Sequence, residues 1–543
     1  MSAGRVERAM EMDGMEATDR GGEFGAWKGG RGIAGGWLRA KAAAVVMGGG
    51  MGGWWTDAAA AAQPSLSSEV RETLTRAKLG EAKAAICVVD VASGTVLAGV
   101  ADRDPVIPAS NLKLLTSGAA LLALGPDFSF RTTLVREGSR LFIVGDGDPG
   151  LADPVLLAAA NSGVDEFLDK LAAEAVRQGA GDVTEVVVDD RVFDRAHIHP
   201  SWPQNQLDAW YCAPVSGVNF FTNVVELYVS PGSARDVPPQ VRLLPTARWL
   251  EVDNKARTVS GDNSSLAASR AAGRNVFQLT GTVSTRWRQD EPLEVSVQEP
   301  GLIFGRLMAE RITRLRAGGA AAGAPVGVRM ATADDVRPAS EPLVVIRTPL
   351  ATALSRCNVN SQNMYAESLL KRVGHEVTGQ PGSWQNGGAV VRMQVAERLG
   401  SDASDLVISD GSGLSRENRV TTRILARWLG LVAQDPKVGD AFVASMATTE
   451  QGRLESRFRG RRLDHEVRAK TGFIRGVQAL SGFVTHTGTG RRIAFSVIVN
   501  NTERAPAGSN VKDLHEMVVQ DIDGWLTAVE GRAKPAAAPE PVR

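Results

Sequence analysis

Cysteine is scarce in this chain of 543 residues: Cys87, Cys212 and Cys357 stand far apart and form no C-x-x-C. That spacing excludes a zinc ribbon or a dithiol redox motif and leaves buried free thiols as the expected state. Histidine is nearly as sparse, with six in all, and His197-Ile198-His199 has no cluster of acids or cysteines around it to complete a metal site. No metal and no cofactor is expected. An excess of charge of one sign is also missing. The 61 Lys plus Arg balance 61 Asp plus Glu, so the basic footprint of a nucleic-acid binder is absent and nucleic acid is excluded as a partner. Beyond the first 63 residues no apolar run approaches ~18 residues, so no membrane-spanning helix is expected in the mature chain. Asp146-Gly147-Asp148-Pro149 and Asp410-Gly411-Ser412-Gly413 open like calcium loops but do not continue into the ligand spacing, and they read as turns. No fixed-period repeat is present.

What is present is a globular chain, 43% hydrophobic, long enough for at least two domains. Residues 1–63 differ from the rest. Arg31, Arg39 and Lys41 precede a Gly- and Ala-rich stretch from Ala42 to Trp55, and Ala58 to Ala62 offers small residues for cleavage. The segment reads as an export signal; the alternative is a disordered leader, lengthened by a start upstream of Met47 or Met51. Residues 531–543, rich in Ala and Pro, read as a disordered tail.

The most specific signal is an ordered set: Ser110-Asn111-Leu112-Lys113, then Ser361-Gln362-Asn363, then Lys470-Thr471-Gly472. Two other Ser-x-x-Lys spacings, Ser368 with Lys371 and Ser509 with Lys512, lack the downstream partners. Ser-x-x-Lys, Ser-x-Asn and Lys-Thr-Gly in this order are the parts of a serine acyl-transfer site. A neutral serine hydroxyl needs a base, and Lys113 lies one helical turn from Ser110 on the same face. At an ordinary pKa of ~10.4 a lysine is neutral in about one molecule in 2,500 at pH 7, and bringing it near neutrality costs ~4 kcal/mol, which burial and a second ammonium could supply. Lys470 is the candidate second ammonium. Ser361 can relay a proton, and the Asn363 amide can donate and accept hydrogen bonds to a substrate. Lys470 and Thr471 can meet an anion beside a strand edge, with Gly472 leaving room for close approach. Amides of Ser110 and of the strand after Gly472 would form an oxyanion hole. Arg453, Arg457, Arg459, Arg461, Arg462 and Arg468 crowd this motif and are expected to form mostly a solvated face.

The organisation around these motifs is α+β. Ala84 to Asp90 and Thr95 to Val100 read as a hairpin, Leu112, Leu115, Ala119 and Leu122 as a helix ended by Gly125-Pro126, and Gly476 to Thr485 with Arg492 to Asn500 as a second hairpin that Lys470-Thr471-Gly472 precedes. Met364, Ala366, Leu369 and Leu370 suggest a helix after a loop, and Val511 to Val529 a helix packed on the sheet. The gap from Ser110 to Ser361 is more than twice that from Ser361 to Lys470, so it must hold an insertion. There Leu141 to Val144, Val183 to Val188, Val224 to Val229 and Val241 to Leu244 read as short strands, interrupted by one helix near Asp165 to Arg177. The expected division is 64–130 plus 338–530 as one catalytic domain, split by a β-rich region at 131–337 that forms one or two subdomains.

From about Leu66 to about Val529 the chain resembles the class C low-molecular-mass penicillin-binding proteins, the D-alanyl-D-alanine carboxypeptidase/endopeptidase family. Besides the three motifs, Gly147-Asp148-Pro149, Pro200-Ser201-Trp202-Pro203, Ala213-Pro214-Val215-Ser216 and Asp410-Gly411-Ser412-Gly413-Leu414-Ser415-Arg416 carry the likeness. The resemblance implies a penicillin-binding/β-lactamase-like fold with an antiparallel sheet between helices, split by a two-part insertion. It also implies an exported, periplasmic or other extracytoplasmic protein, with peptidoglycan stem peptides as substrates and β-lactams as acylating ligands. Carried over by position, Ser110 would be the acylated nucleophile, Lys113 its base, Ser361 the relay, Asn363 a ligand of the substrate amide, and Lys470 with Thr471 the binders of the terminal carboxylate. Met446-Ala447-Thr448-Thr449-Glu450-Gln451-Gly452 departs from the family's Pro- and Gly-containing version. A β-lactamase or a non-catalytic wall-binding protein on the same scaffold are the rival readings.

Overall fold

The computed structural model describes residues 65–288, 291–316 and 324–531. The expected export segment at 1–63 and the tail beyond Gly531 lie outside the described residues. The frame of the site is a six-stranded antiparallel sheet in the order Ala447–Thr448, Glu466–Ile474, Val477–Thr485, Arg492–Asn500, Lys83–Asp90, Val96–Val100. Both ends of the chain meet at its centre, where Ile86 is opposite Val497 and Val88 opposite Phe495. Arg492–Asn500 is buried at every position after the first, because helices cover both faces of the sheet. A strand buried on two sides needs a continuous apolar run rather than alternation.

On one face lie the helices Leu66–Ala77 and Val511–Glu530. Leu514, Val518, Ile522 and Leu526, four residues apart, are buried together with Val467, Ala469, Leu480 and Val484. Each such side chain stabilises the fold by ~1.5–3 kcal/mol. On the other face pack the helices Lys113–Leu124, Asn363–Thr378 and Thr422–Ala433, with Leu115, Leu369, Leu370 and Leu425 in one cluster. Among the described residues no helix is long and apolar enough to cross a membrane.

The chain between the first two motifs builds a five-stranded mixed sheet, Gly327–Met330, Glu185–Asp189, Arg140–Gly145, Ser129–Glu137, Val344–Pro349, and two smaller sheets from Val224 to Ser296. The outer strand Val344–Pro349 pairs with Ser129–Glu137 along its whole length, so this sheet reaches past both of the borders expected at 131 and 337. The expectation of a single helix here was wrong. Besides Val164–Ala175 and the short Pro154–Ala159, a 17-residue helix runs from Pro300 to Arg316. Gly301 and Gly305 hid it, since glycine inside a helix costs ~1 kcal/mol. They are there because the helix lies close on the sheet: a Cβ on Gly305 would stand 2.6 Å from Val188 Cγ2. One buried ion pair ties this region to the catalytic frame: Arg356 donates twice to Asp153, at 2.9 and 3.1 Å, and the Tyr365 hydroxyl donates to the same carboxylate at 2.6 Å.

Candidate active site

Ser110 sits in a short 3-10 turn, Ala109–Leu112, that runs directly into the helix Lys113–Leu124. Ala109 before it has φ +47°, a left-handed conformation that costs a residue with a Cβ ~1–3 kcal/mol unless its surroundings enforce it. Two neighbours do so. Gly413, itself at φ +83°, passes so close that a Cβ there would lie 1.8 Å from the Ala109 carbonyl oxygen. Asn111 next to the serine is buried and donates to Ser481 Oγ at 2.6 Å, fixing the turn to the sheet. Gly472 belongs to this lock. A Cβ on it would stand 3.0 Å from Asn111 Oδ1 and 3.2 Å from the Pro108 oxygen, so the close approach it permits is that of the strand to the serine turn.

Lys113 is fully buried, and its Nζ has three oxygens around it: Ser110 Oγ at 3.1 Å, Asn363 Oδ1 at 2.7 Å and the Ser412 carbonyl at 3.0 Å. Two of the three can only accept. A neutral amine therefore spends its two hydrogens on Asn363 and Ser412 and turns its lone pair to the Ser110 hydroxyl, whereas an ammonium donates to all three. Burial lowers the Lys113 pKa from its ordinary value to about 8. The carboxylates of Glu367 and Asp410 oppose that fall, and Arg453 adds to it. Cys357, also fully buried, has its thiol pushed up to about 11 by burial and so stays protonated beside the two lysines.

Lys470 is as deeply buried, and its Nζ donates to Ser361 Oγ at 2.9 Å and to the Thr471 carbonyl at 2.7 Å. Burial, then the Lys113 charge, hold it well below the usual lysine range. Burial and the Lys470 ammonium were expected to lower Lys113 together; burial does so, and the repulsion between the two lysines falls on Lys470. Ser361 presents its hydroxyl from a loop between the helices Leu350–Asn358 and Asn363–Thr378, again with a positive φ, +61°.

Asn363 lines the cavity and is also held within the protein. Its oxygen holds Lys113 and its nitrogen donates one hydrogen to the Tyr211 carbonyl at 2.8 Å, which leaves the second N–H of the amide for a substrate. Tyr211 belongs to the inserted region, which thus reaches the site. A second set of residues that sequence reasoning missed lies behind Lys113. Buried Glu367 accepts from Gly411 N, Ser412 N and Trp384 Nε1, each at 2.8 Å, and so sets the carbonyl that Lys113 leans on. Burial and the nearby Asp410 raise its pKa to about 7. The segment Asp410 to Ser415 is a turn, as its glycines suggested. Asp410 accepts from Gly413 N and Asn418 Nδ2 on one oxygen, and from Ser415 N and Trp202 Nε1 on the other. His197 and His199 have separate surroundings: His197 lies 3.7 Å from Asp190, and His199 Nδ1 accepts from Ser201 N.

Lys470-Thr471-Gly472 lies inside the strand Glu466–Ile474, not ahead of a strand as its polar residues suggested. One side of this strand pairs with Val477–Thr485 throughout, while Ala447–Thr448 covers the other side only at Arg468 and Ala469. From Lys470 onward the edge is open. It borders a cavity of about 910 Å³ whose lining includes Ser110, Ser361, Asn363, Thr471 and Phe473. Phe473, 66% exposed, stands at its mouth. Of the nearby arginines, Arg457 and Arg461 are not the solvated face expected. Both donate to Glu516, at 2.9 and 3.0 Å.

The three motifs, remote in sequence, thus meet around one cavity, in a fold that can be compared with known proteins. The profile of the D-Ala-D-Ala carboxypeptidase 3 (S13) family matches residues 66–521. The chain belongs to that family. It is 33% identical over 475 residues to the D-alanyl-D-alanine carboxypeptidase of Actinomadura sp. (strain R39), which covers 82% of this chain and 83% of the relative. To the D-alanyl-D-alanine carboxypeptidase DacB of Haemophilus influenzae it is 23% identical over 426 residues, 75% of this chain and 83% of that one. Among solved structures, penicillin binding protein 4 (dacB) from Haemophilus influenzae superposes with a TM-score of 0.65 at 22% identity, covering 84% of this chain and 99% of the other. The fold is the penicillin-binding/β-lactamase-like α+β fold with additional β-rich sheets, and this S13 chain is a serine-type D-Ala-D-Ala carboxypeptidase of the penicillin-binding kind.

Proposed function

We propose that Ser110 is the nucleophile of this S13 enzyme and that Lys113 is its base, acting on the D-Ala-D-Ala ends of peptidoglycan stem peptides. The observation that carries this is the Lys113 amine, fully buried, lowered to about 8, with two acceptor-only carbonyls and the Ser110 hydroxyl around it. The neutral amine takes the hydroxyl proton as Ser110 Oγ attacks the carbonyl of the penultimate D-Ala. The oxyanion that forms meets main-chain amides of Ser110 and Phe473; losing one such donor typically costs ~10²- to 10³-fold in turnover. Collapse breaks the peptide bond, and the proton that Lys113 took passes to the leaving amine through Ser361, whose hydroxyl lies between Lys470 and the cavity, leaving Lys113 neutral again. Lys470 and Thr471 hold the terminal carboxylate, and that negative charge restores the Lys470 proton that burial disfavours. Water then attacks the acyl-serine, neutral Lys113 taking its proton and passing it to Ser110 Oγ as the acyl–oxygen bond breaks. A β-lactam acylates Ser110 by the same attack, but its amine stays tethered in the site and obstructs water.

Incubation of the purified protein with fluorescent penicillin tests this reading. Persistent label on the native chain and none on Ser110→Ala is expected. Rapid release of label would mark a β-lactamase instead, and no label at all would mark a wall-binding protein. The substrate class and the Gly- and Ala-rich stretch before residue 63 also support an exported, extracytoplasmic enzyme. Sequencing the N-terminus of the mature protein checks that: a start at or before Met51 would overturn it.

A further inference from the structure

The cavity does not end at the open edge of the strand Glu466–Ile474. It continues beneath the loop after Gly452 to the start of the C-terminal helix, where Arg453, Ser456, Lys512 and His515 line it. Residues of a strand alternate between its faces. Val467 and Ala469 pack with Leu514 and Val518, so Thr471 and Phe473 turn to that helix side, while Gly472 meets Pro108 and Asn111 on the Ser110 side.

Three features of this lobe point to an anion. Lys512 and His515 lie in the first turns of the 20-residue helix Val511–Glu530, where the unpaired amides and the helix dipole favour negative charge. Arg453 and Lys512 have no carboxylate partner among the described residues, Lys512 Nζ donating to the Ser456 carbonyl at 3.2 Å, while Glu516 is engaged by Arg457 and Arg461 and Asp513 by Arg461; Glu503 lines the cavity beside Gly476. The third feature is His515. Arg457 Nη2 lies 3.3 Å from His515 Nδ1. A guanidinium can only donate, so Nδ1 must accept and the ring proton sits on Nε2. Burial and the Arg457 charge push the His515 pKa down to about 3, so the ring is neutral. That leaves Nε2–H as a fully buried donor without a partner among the described residues, on a residue that lines the cavity. A buried donor left unpaired is costly, and an oxygen bound there would relieve it.

The lobe also lies on a definite side of the reaction. Lys470 and Ser361 mark the leaving side under the function proposed above, and Arg453 is near enough to Lys113 and Lys470 for its charge to lower both. A terminal D-Ala carries one carboxylate, already matched to Lys470 and Thr471. A second anionic position beyond it has use only for a longer leaving group.

We propose that Arg453, Lys512 and His515 Nε2–H form a second carboxylate subsite, which binds the leaving strand of a crosslinked stem-peptide pair and biases the enzyme towards endopeptidase cleavage. The inference rests on the reading of Ser110 and Lys470 given above. The bond broken is the same D-Ala amide, and only the leaving amine differs, taking its proton by the same route.

The test compares kcat/KM for an N-acyl peptide ending in D-Ala-D-Ala with kcat/KM for the corresponding crosslinked dimer, in the full protein and in Lys512→Gln, Arg453→Gln and His515→Asn. The expected result is a fall of about tenfold in the dimer-to-monomer ratio in each variant, with fluorescent penicillin labelling showing that the protein is folded. Lys512 and Arg453 reach solvent, so their variants decide the matter even if His515→Asn does not fold. A ratio within twofold of the native value in both, or an equal loss on both substrates, overturns the subsite. Failure of the native chain to be labelled at all would instead overturn the function proposed for Ser110.

Discussion

The pH dependence of acylation follows from the surroundings of one amine. Lys113 must be neutral to take the Ser110 proton, and burial brings it to about 8. From its ordinary value of 10.5, that corresponds to about 3 kcal/mol against the charged form. Roughly one molecule in ten then holds the neutral amine at pH 7, half at pH 8 and about nine in ten at pH 9, against about one in 3,000 at pH 7 for an ordinary lysine. The active form is the deprotonated one, so the rate falls as pH drops. Stopped-flow acylation by fluorescent penicillin, at concentrations well below saturation, should rise about tenfold from pH 7 to pH 9 along a single titration centred near 8. The same measurement on Ser110→Ala removes attack by hydroxide. Lys113→Arg, whose guanidinium stays charged throughout, should acylate at no pH in this range. A flat profile between pH 6 and 9, or a curve still climbing steeply at pH 10, would refute the assignment of the base.

The same lysine makes stability depend on pH. The charged form is disfavoured in the folded state, so the native protein should gain up to about 3 kcal/mol relative to Lys113→Met as pH rises from 8 to 10.5, and nothing below 8, as urea unfolding at pH 7, 8.5 and 10 would read. Glu367→Ala leaves three buried N–H donors unpaired, and at about 1–3 kcal/mol each it should lower the unfolding midpoint sharply and slow acylation by releasing Ser412. Asp153→Ala removes the carboxylate facing buried Arg356 and the cap of the helix Pro154–Ala159, and should cost about 3–5 kcal/mol in urea unfolding. Gly413→Ala, with no room for a Cβ against Ala109, should abolish penicillin labelling while far-UV circular dichroism stays near native.

Much of this fold is legible in the sequence because its central strands and helices follow local rules. Val511 to Val529 carries a helical stripe, and the helix Val511–Glu530 buries it; the runs Arg492 to Asn500 and Ala84 to Asp90 are mostly apolar, and they lie in mid-sheet. What sequence missed has physical causes. The strand Glu466–Ile474 carries Arg468, Lys470 and Thr471, and its edge is half open, so it has neither the continuous apolar run of a covered strand nor a clean alternation. The helix Pro300–Arg316 was masked by the glycines that let it lie on Val188. Glu367, the Ser412 carbonyl and the Tyr211 carbonyl act through contacts between segments far apart in the chain, and no local pattern announces a backbone oxygen.

The local rules break most densely at the site itself. Ala109 and Ser361, beside and at the two serines, adopt left-handed backbone without being glycine, Lys113 and Lys470 are buried bases, and Asn111 Oδ1 is buried without a partner. Each departure costs the folded state something, and in a protein of ordinary marginal stability such costs persist only where surrounding structure enforces them. Here the enforcing contacts can be named: Gly413 against Ala109, Ser481 on Asn111, Glu367 behind Ser412. Those residues touch no substrate, yet they hold the geometry that makes an amine of about 8 useful to a hydroxyl 3.1 Å away. Relaxing the Gly413 or Ser481 contact should lose the Ser110–Lys113 contact before it loses the fold, so acylation rates should respond to these two supports more steeply than unfolding does.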